Sequence, residues 1–288
     1  MHPQVKAFFD PATGTLTYVV FDATTRDAVV IDPVLDYDPA ASCTGEHAIG
    51  PVIAFIEAGG LKPWLSLESH AHADHLTAAQ RLKDRYPGLR VGIGARITEV
   101  QRFFATVFNL EDLARDGSQF DLLLEDGQRI AAGSLEVEAI ATPGHTPACM
   151  SFRIGDAVFT GDTLFMPDYG TGRCDFPAGS AADLYDSIAR RLYALPEETR
   201  VFVGHDYQPG GRDVAWESTI GEEKHTNVHL RAGTGREEFV AFRRDRDRAL
   251  AAPRLLYAAV QFNINAGLPP PREANGTAYL KIPLRMDA

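Results

Sequence analysis

Four strand-like runs of this sequence end in a histidine or an aspartate, and this repeated feature constrains the fold more than any other. The run KPWLSLES leads directly into HAHADH, and three later runs end in PGH, TGD and VGH. The residues concerned are His70, His72, Asp74, His75, His145, Asp162 and His205. A glycine before each of the last three permits close backbone approach in three separate turns. We therefore expect these strand ends to converge on one site.

The spacing of the ligand-type residues favours a metal site. His70 and His72 project to the same side if the strand continues. A turn then puts Asp74 and His75 at the start of a predicted helix, ADHLTAAQRLKDRYPG, where the helix dipole favours a carboxylate. A single histidine or aspartate near a turn is usually a capping or surface residue. Seven such residues at the ends of predicted strands are instead typical of a site that binds Zn²⁺ or Fe²⁺.

The rest of the pattern is β-rich, then helical, then β-rich, then helical. GTLTYVVFD and DAVVIDP predict an antiparallel hairpin, and SAADLYDSIARRLYALP predicts a helix with Ser180 as its N-cap. Two facing sheets with helices outside would satisfy this order, and so would other α+β layouts.

Composition excludes some function classes. A net charge of −11 over 288 residues argues against general binding to nucleic acid or to anionic membranes. The arginines at 243, 244, 246 and 248 alternate with aspartates, which predicts a solvated helix face. Three scattered cysteines, no leader-like start and no apolar run of ~20 residues predict a cytoplasmic protein without a membrane span.

HAHADH followed by GHT, GD and GHD resembles the metallo-β-lactamase superfamily, from about residue 16 to 230. The resemblance implies an α+β fold, an αββα sandwich of two mixed β-sheets face to face with helices outside. We expect one domain over residues 1–288, with 230–288 as an extension packed on it. In that family pattern His70, His72 and His145 surround one metal position. Asp74, His75 and His205 surround a second position, with Asp162 between the two.

The stretch MPDYGTGRCDFPAGS is similar to a signature of the persulfide dioxygenase branch of this superfamily. The resemblance implies one Fe(II) per chain, with His70, His145 and Asp162 as its ligands and as the catalytic residues. His72, Asp74, His75 and His205 would then orient those ligands by hydrogen bonding. The implied reaction converts glutathione persulfide, O₂ and water to sulfite and glutathione in sulfide detoxification.

Two further residues are candidates for substrate binding. Arg173 could bind a glutathione carboxylate with two parallel hydrogen bonds. The alternative is that Arg173 forms a structural ion pair with Asp175. We assign Asp175, like His72, Asp74, His75 and His205, to the residues that surround the metal ligands. Tyr207 could direct its hydroxyl towards the bound sulfur or O₂, or could simply be packed. Cys174 is expected to be an inert thiol.

Two other functions fit the same motif. The full ligand set permits a dinuclear zinc thioesterase of the glyoxalase II type, although that family usually carries a C-terminal helical domain with basic residues. A non-catalytic persulfide- or metal-binding sensor is the third possibility, and the complete ligand set argues against it. Related enzymes often form homodimers, which makes a homodimer the suggested assembly.

Overall fold

A computed structural model of the chain describes residues 2–284 and 286. The strands are, in chain order, β1 (Gln4–Asp10), β2 (Thr15–Phe21), β3 (Asp27–Ile31), β4 (Val34–Asp38), β5 (Cys43–Gly45), β6 (Lys62–Leu67), β7 (Leu76–Thr77), β8 (Arg90–Gly94), β9 (Leu122–Leu124), β10 (Arg129–Ala132), β11 (Leu135–Ala141), β12 (Met150–Ile154), β13 (Ala157–Phe159), β14 (Arg200–Phe202) and β15 (Glu217–Thr219). The helices are α1 (Ile49–Ala58), α2 (Ala79–Arg85), α3 (Ile97–Val107), α4 (Ala181–Asp186), α5 (Ile220–Thr226), α6 (Arg236–Asp247) and α7 (Leu256–Asn263).

The strands form two six-stranded mixed sheets and a small third one. The first sheet has the order β1-β2-β3-β6-β8-β9, antiparallel up to β3 and parallel from β3 onwards. The second sheet has the order β10-β11-β12-β13-β14-β15, in which only the β13–β14 pair is parallel. The small sheet has the order β5-β4-β7.

The two large sheets pack face to face. The sequence of β2 consists of β-branched, aromatic and aliphatic residues, so both of its faces can be buried. Tyr18 of β2 packs edge-on against Phe159 of β13 and Phe202 of β14, with ring centroids 5.2 Å and 5.5 Å away. These rings belong to one apolar core shared by both sheets.

Helices cover the outer faces. The opposite face of β2 and β3 presents Val19 and Val30 to a second apolar cluster that also holds residues of α1, α2, α3 and α7. On the other side, α4, the π-helical turn Ser187–Leu192 and α6 join the core of the second sheet. Ser180 caps α4, accepting from the Asp183 N–H, as the sequence predicts. The predicted αββα architecture is confirmed.

One prediction about the histidine loop is wrong. Asp74 and His75 do not start a helix; they precede the two-residue strand β7, and α2 begins only at Ala79. The reason is that Leu76 and Thr77 pair with β4, a long-range partner that the local helical pattern does not reveal.

The predicted solvated face of α6 is also wrong for one arginine. Arg243 is only 1% exposed, because it pairs with Asp247 one turn later and donates to the Thr171 carbonyl at 3.2 Å. Asp247 in turn accepts from the Cys174 N–H at 2.8 Å. The charges of Arg243 and Asp247 can be buried because they are paired and hydrogen-bonded. The remaining arginines of the cluster are exposed.

The region 230–288 contains α6 and α7, which bury Phe239 and Val260 against the rest of the chain. Its description as an extension of a single domain stays a prediction. No helix among residues 2–284 and 286 combines the length and apolar character required to cross a lipid bilayer.

A buried carboxyl group predicts a pH dependence of stability. Glu223 of α5 is 0% exposed and accepts from Ser218 Oγ at 2.6 Å and Asn227 Nδ2 at 2.8 Å. Burial raises its pKa to about 7. Because the folded pKa lies above the unfolded one, the stabilisation is complete below about pH 4 and is lost as pH rises through about 7.

Glu223→Gln mimics the protonated carboxyl group, so it should flatten this dependence. We expect it to remove a slope of up to about 1.4 kcal/mol per pH unit in the free energy of unfolding between about pH 5 and 7. Urea unfolding at several pH values measures the slope, with the exposed Glu222→Gln as control. A Glu223→Gln profile parallel to that of the unchanged protein contradicts the assignment.

Candidate metal centre

The predicted ligand residues lie in loops that follow strands of both large sheets. The histidine cluster occupies the loop between β6 and β7, and the other three residues follow β11, β13 and β14. Backbone hydrogen bonds join the sheets at this edge: the Met150 N–H donates to Ser69 O at 2.8 Å, and the Leu16 N–H donates to Gly204 O at 2.9 Å. The predicted convergence of the strand ends is therefore observed.

Glycines allow the loops to approach one another this closely. Gly161 has φ +48°, and a Cβ atom there would lie 2.4 Å from Ser69 Oγ, beside His70. A Cβ atom at Gly204 would lie 2.8 Å from the Gly161 carbonyl carbon. A side chain at Gly161 would separate the loop of Asp162 from that of His70, and a side chain at Gly204 would separate the loop of His205 from that of Asp162.

His70, His145 and Asp162 form the first group of the site. Asp162 Oδ2 lies 3.6 Å from His145 Nε2 and 4.0 Å from His70 Nε2. One ligand atom from each of the three residues lies within 4.8 Å of the other two. Two imidazoles and a carboxylate at these separations can share one cation.

His72, Asp74 and His75 form a second group, whose ligand atoms also lie within 4.8 Å of one another. His205 joins the two groups, since its Nε2 atom lies 3.3 Å from Asp74 Oδ2 and 3.3 Å from Asp162 Oδ1. Asp162 therefore directs Oδ2 to the first group and Oδ1 to His205. The geometry accommodates either one cation or two.

The outer nitrogen of each histidine is held by a hydrogen bond. His145 Nδ1 donates to Arg173 O at 2.7 Å, and His75 Nδ1 donates to Leu76 O at 3.1 Å. Because a carbonyl only accepts, each of these rings turns an unprotonated Nε2 towards the site. His70 Nδ1 contacts Ser69 Oγ at 3.0 Å, and His205 Nδ1 contacts Thr15 Oγ1 at 3.4 Å.

The atoms that face the centre have no such partners. Among the described residues, these buried atoms lack a hydrogen-bond partner: His70 Nε2, His72 Nδ1, Asp74 Oδ2, His75 Nε2, Asp162 Oδ1 and His205 Nε2. An unsatisfied buried polar atom costs about 1–3 kcal/mol, and six together are unusual in a native fold. A cation coordinated by these lone pairs would satisfy them, so the residues present fit a metal ion.

Electrostatics favour the unprotonated forms of His70, His75 and Asp74. Burial, reinforced by the neighbouring histidines, lowers the pKa of His70 well below its usual value and that of His75 to about 4. Burial alone would raise the pKa of Asp74, but His205, His75 and His72 together lower it to about 2. Neutral imidazoles and an ionised carboxylate are the forms that bind metals.

Asp32 and Glu68 are site residues that the sequence reasoning missed. Asp32 Oδ1 accepts from His72 Nε2 at 3.1 Å and from the Ser69 N–H at 2.7 Å, and Glu68 Oε2 lies 3.6 Å from the same imidazole. Burial opposes a charge on His72, yet the Asp32 carboxylate raises the pKa of this histidine well above its usual value. The hydrogen bond to Asp32 turns Nδ1 of this ring towards the centre, where a bound metal ion would take the place of the Nδ1 proton that the raised pKa favours. The aspartate after the strand DAVVI was an available signal.

A cleft of about 560 Å³ leads to the centre. Its wall includes His75, His145 and Asp162 together with the apolar side chains of Val34 and Leu35 from β4. The segment before α7 also contributes, through Pro253, Arg254 and Leu255. The sequence pattern gave no indication that this distant segment borders the site.

Arg173 lies in the cleft wall, paired with Asp175 in the way considered as the alternative. Its Nε and Nη2 atoms donate to the two Asp175 oxygens at 2.6 Å each, and Nη1 donates to Ala251 O at 2.8 Å. The predicted role in substrate binding stays a prediction. Neighbouring Cys174 has its pKa raised to about 12, mainly by burial, in agreement with an inert thiol.

Tyr207 also lines the cleft and is 47% exposed. Its ring stacks on His205 at a centroid distance of 5.5 Å and contacts Tyr169 at 4.9 Å. Partial burial and the carboxylates of Asp162 and Asp74 raise the pKa of the hydroxyl group. The phenol therefore keeps its proton and can donate a hydrogen bond into the cleft.

Comparison with known proteins agrees with these features. A family model described as the metallo-beta-lactamase superfamily matches residues 10–205. A beta-lactamase hydrolase-like protein of Agrobacterium fabrum is 47% identical over 98% of this chain, which spans only 65% of that protein. Glyoxylase B2 of Dictyostelium discoideum is 43% identical, covering 98% of this chain and 97% of that one.

Two further matches carry the name of the predicted branch. The human mitochondrial persulfide dioxygenase ETHE1 is 32% identical over 93% of this chain and 90% of its own length. The crystal structure of ETHE1 from Myxococcus xanthus is 34% identical and covers 92% of this chain and 100% of its own, with a TM-score of 0.73. The chain therefore belongs to the metallo-β-lactamase superfamily.

Proposed function

We propose that this protein is a persulfide dioxygenase that oxidises glutathione persulfide with O₂ and water to sulfite and glutathione, in sulfide detoxification. The observation that carries the proposal is the first group of the centre, in which two imidazoles and one carboxylate converge within 4.8 Å. This donor set, with further coordination positions left free, is the one used by non-haem Fe(II) oxygenases. We assign His70, His145 and Asp162 as the iron ligands.

The similarity of GTGRCDF to the persulfide dioxygenase signature gives independent support, because that stretch contacts the centre. The carbonyl of Arg173 accepts from His145 Nδ1 at 2.7 Å and so holds this imidazole in place. Adjacent Gly172 passes so close to the Asp162 carbonyl that no side chain would fit there. The signature thus holds His145 by a backbone hydrogen bond and packs closely against the backbone of Asp162.

Bound Fe(II) would supply a redox-active centre at which the persulfide sulfur and O₂ can react. The protein contributes orientation around it. His205 Nε2 lies 3.3 Å from Asp162 Oδ1 and can orient that carboxylate, while Asp74 lies on the other side of His205. Asp32 fixes the ring of His72. In this proposal His72, Asp74, His75 and His205 orient the ligand set.

The cleft suits a thiol carrier with acidic groups. Val34 and Leu35 give it an apolar wall, and the protonated Tyr207 can donate to a sulfur or oxygen atom. The donors of Arg173 are already engaged by Asp175 and Ala251. We therefore propose Arg254 as a further anchor, since it is exposed in the cleft wall and has no ion pair among the described residues.

A zinc-dependent thioester hydrolase of the glyoxalase II type is the second candidate. The observation in its favour is the second group, which, with Asp162 between the groups, would complete a two-metal site. A pair of zinc ions can activate water for attack on a thioester carbonyl. The relative named glyoxylase B2 is also the more similar one, at 43% identity against 32%.

The first prediction concerns the reaction itself. Protein purified anaerobically should contain iron rather than zinc and should consume O₂ when given glutathione persulfide, with sulfite as product. Metal analysis and an oxygen electrode measure these quantities, and a glutathione thioester serves as the comparison substrate. Zinc with thioester hydrolysis and no O₂ uptake would support the second candidate instead, and metal without turnover would support a binding protein.

The second prediction concerns metal stoichiometry. One iron per chain is expected, and His145→Ala should weaken iron binding by about 100-fold or more because a direct ligand is lost. His75→Ala should retain close to one iron, since His75 belongs to the second group. Metal analysis after gel filtration gives both values. Two metal ions per chain, or equal loss in both variants, would contradict a mononuclear centre.

The third prediction concerns the anchor. Arg254→Ala should raise KM for glutathione persulfide roughly 5- to 10-fold, the size expected for one solvent-accessible charge-assisted contact. Iron content and kcat should stay close to their original values. The exposed Arg246→Ala, outside the cleft, is the matched control. An unchanged KM for Arg254→Ala rules out the anchoring role.

A further inference from the structure

The histidine loop is tied to a residue almost two hundred positions away. Asn263, the last residue of α7, is 3% exposed, and its side-chain amide makes three hydrogen bonds. Nδ2 donates to the backbone carbonyls of His72 and His75 at 2.8 Å each, and Oδ1 accepts from the Thr77 N–H at 2.9 Å. One amide thus fixes three points of the segment that carries the second group.

We propose that Asn263 is a positioning residue that holds the histidine loop in its metal-binding conformation. The inference rests on the candidate metal centre of the proposed function, but not on which metal or reaction it serves. Residues 68–75 contain no helix or strand, so backbone hydrogen bonds of regular structure do not hold them in place. Buried carbonyls need partners, and Asn263 supplies them for His72 and His75.

The anchor is effective because α7 itself is fixed. Ala259 and Val260 of α7 are 0% exposed and pack in the cluster that covers the first sheet. After the helix, the carbonyl of Ala266 accepts from Gln80 Nε2 at 2.7 Å, which ties the same segment to α2. The histidine loop is therefore anchored to a well-packed part of the protein.

The same short segment carries a second connection. Thr77 Oγ1 donates to Glu68 Oε1 at 2.5 Å, so the residue whose N–H is bound by Asn263 also closes the loop back on its start. Glu68 in turn lies 3.6 Å from the imidazole of His72. Loss of the Asn263 amide is expected to loosen the loop at both ends. His72 Nδ1 and His75 Nε2, which face the metal centre, would then be displaced.

The test compares two buried amides of one helix. Asn263→Leu keeps the side-chain shape and removes all three hydrogen bonds. Gln261→Leu is the matched control, because Gln261 is also buried and also makes three hydrogen bonds, which go to Tyr257 and Lys281 rather than to the loop. Co(II) affinity of the metal-free proteins, from chelator competition, and the Co(II) absorption spectrum are the readouts, with the unfolding midpoint recorded alongside.

We expect both variants to lower the unfolding midpoint, but only Asn263→Leu to weaken Co(II) binding, by about 10-fold or more, and to change the spectrum. Equal Co(II) affinities in the two variants overturn the positioning role. Absence of Co(II) binding by the unchanged protein would overturn the metal centre as well, which distinguishes the two failures.

If Asn263→Leu does not fold, Asn263→Asp provides the same test. It keeps the acceptor for the Thr77 N–H and loses both donors to the carbonyls. The added carboxylate would by its charge attract a cation, so weaker Co(II) binding by this variant supports the positioning role. Affinity equal to or above that of the unchanged protein overturns it.

Discussion

The structure depends on how buried imidazoles and carboxylates are satisfied at the edge where the two sheets meet. Removing such groups from water costs several kcal/mol each unless they are paired. The fold pairs their outer atoms with fixed acceptors, such as the carbonyls of Leu76 and Arg173, and leaves the inner atoms facing one another. The remaining desolvation penalty comes from a few unpaired inner atoms, whose lone pairs a bound cation can satisfy.

The surrounding fold supplies the rigidity that this arrangement needs. Strands of both sheets end at the site, and hydrogen bonds between Met150 and Ser69, and between Leu16 and Gly204, cross from one sheet to the other. The loops contain little regular structure, so their geometry follows from packing around glycine rather than from local propensity. Distant helices then complete the support, with α7 holding the histidine loop and α6 fixing the loop after Asp162.

Much of this could be predicted from local pattern. The strand ends at His145, Asp162 and His205 were recognisable because a glycine turn and a ligand-type residue are adjacent in the sequence. The layer order also followed from hydrophobic periodicity together with the family resemblance. These features depend on a few consecutive residues, which a single sequence displays directly.

The features that the sequence did not reveal all depend on long-range partners. Leu76 and Thr77 become a strand only because β4 lies beside them, and Arg243 is buried only because Asp247 and Thr171 satisfy it. The contributions of Arg254 to the cleft and of Asn263 to the loop arise from the return of the C-terminal region to the site. Nothing in the neighbouring residues distinguishes that asparagine from a surface one.

The carboxylate of Asp162 lies between the two groups, so the same arrangement of residues is compatible with one bound metal ion or with two. Asp162 directs Oδ2 to the first group and Oδ1 to His205, so one carboxylate faces both sides of the site. His205 Nε2 lies 3.3 Å from both Asp162 Oδ1 and Asp74 Oδ2, so this nitrogen stands between the two groups. One ligand framework can in this way serve either the oxygenase or the hydrolase arrangement, and the choice rests on whether the second group also takes up a metal ion.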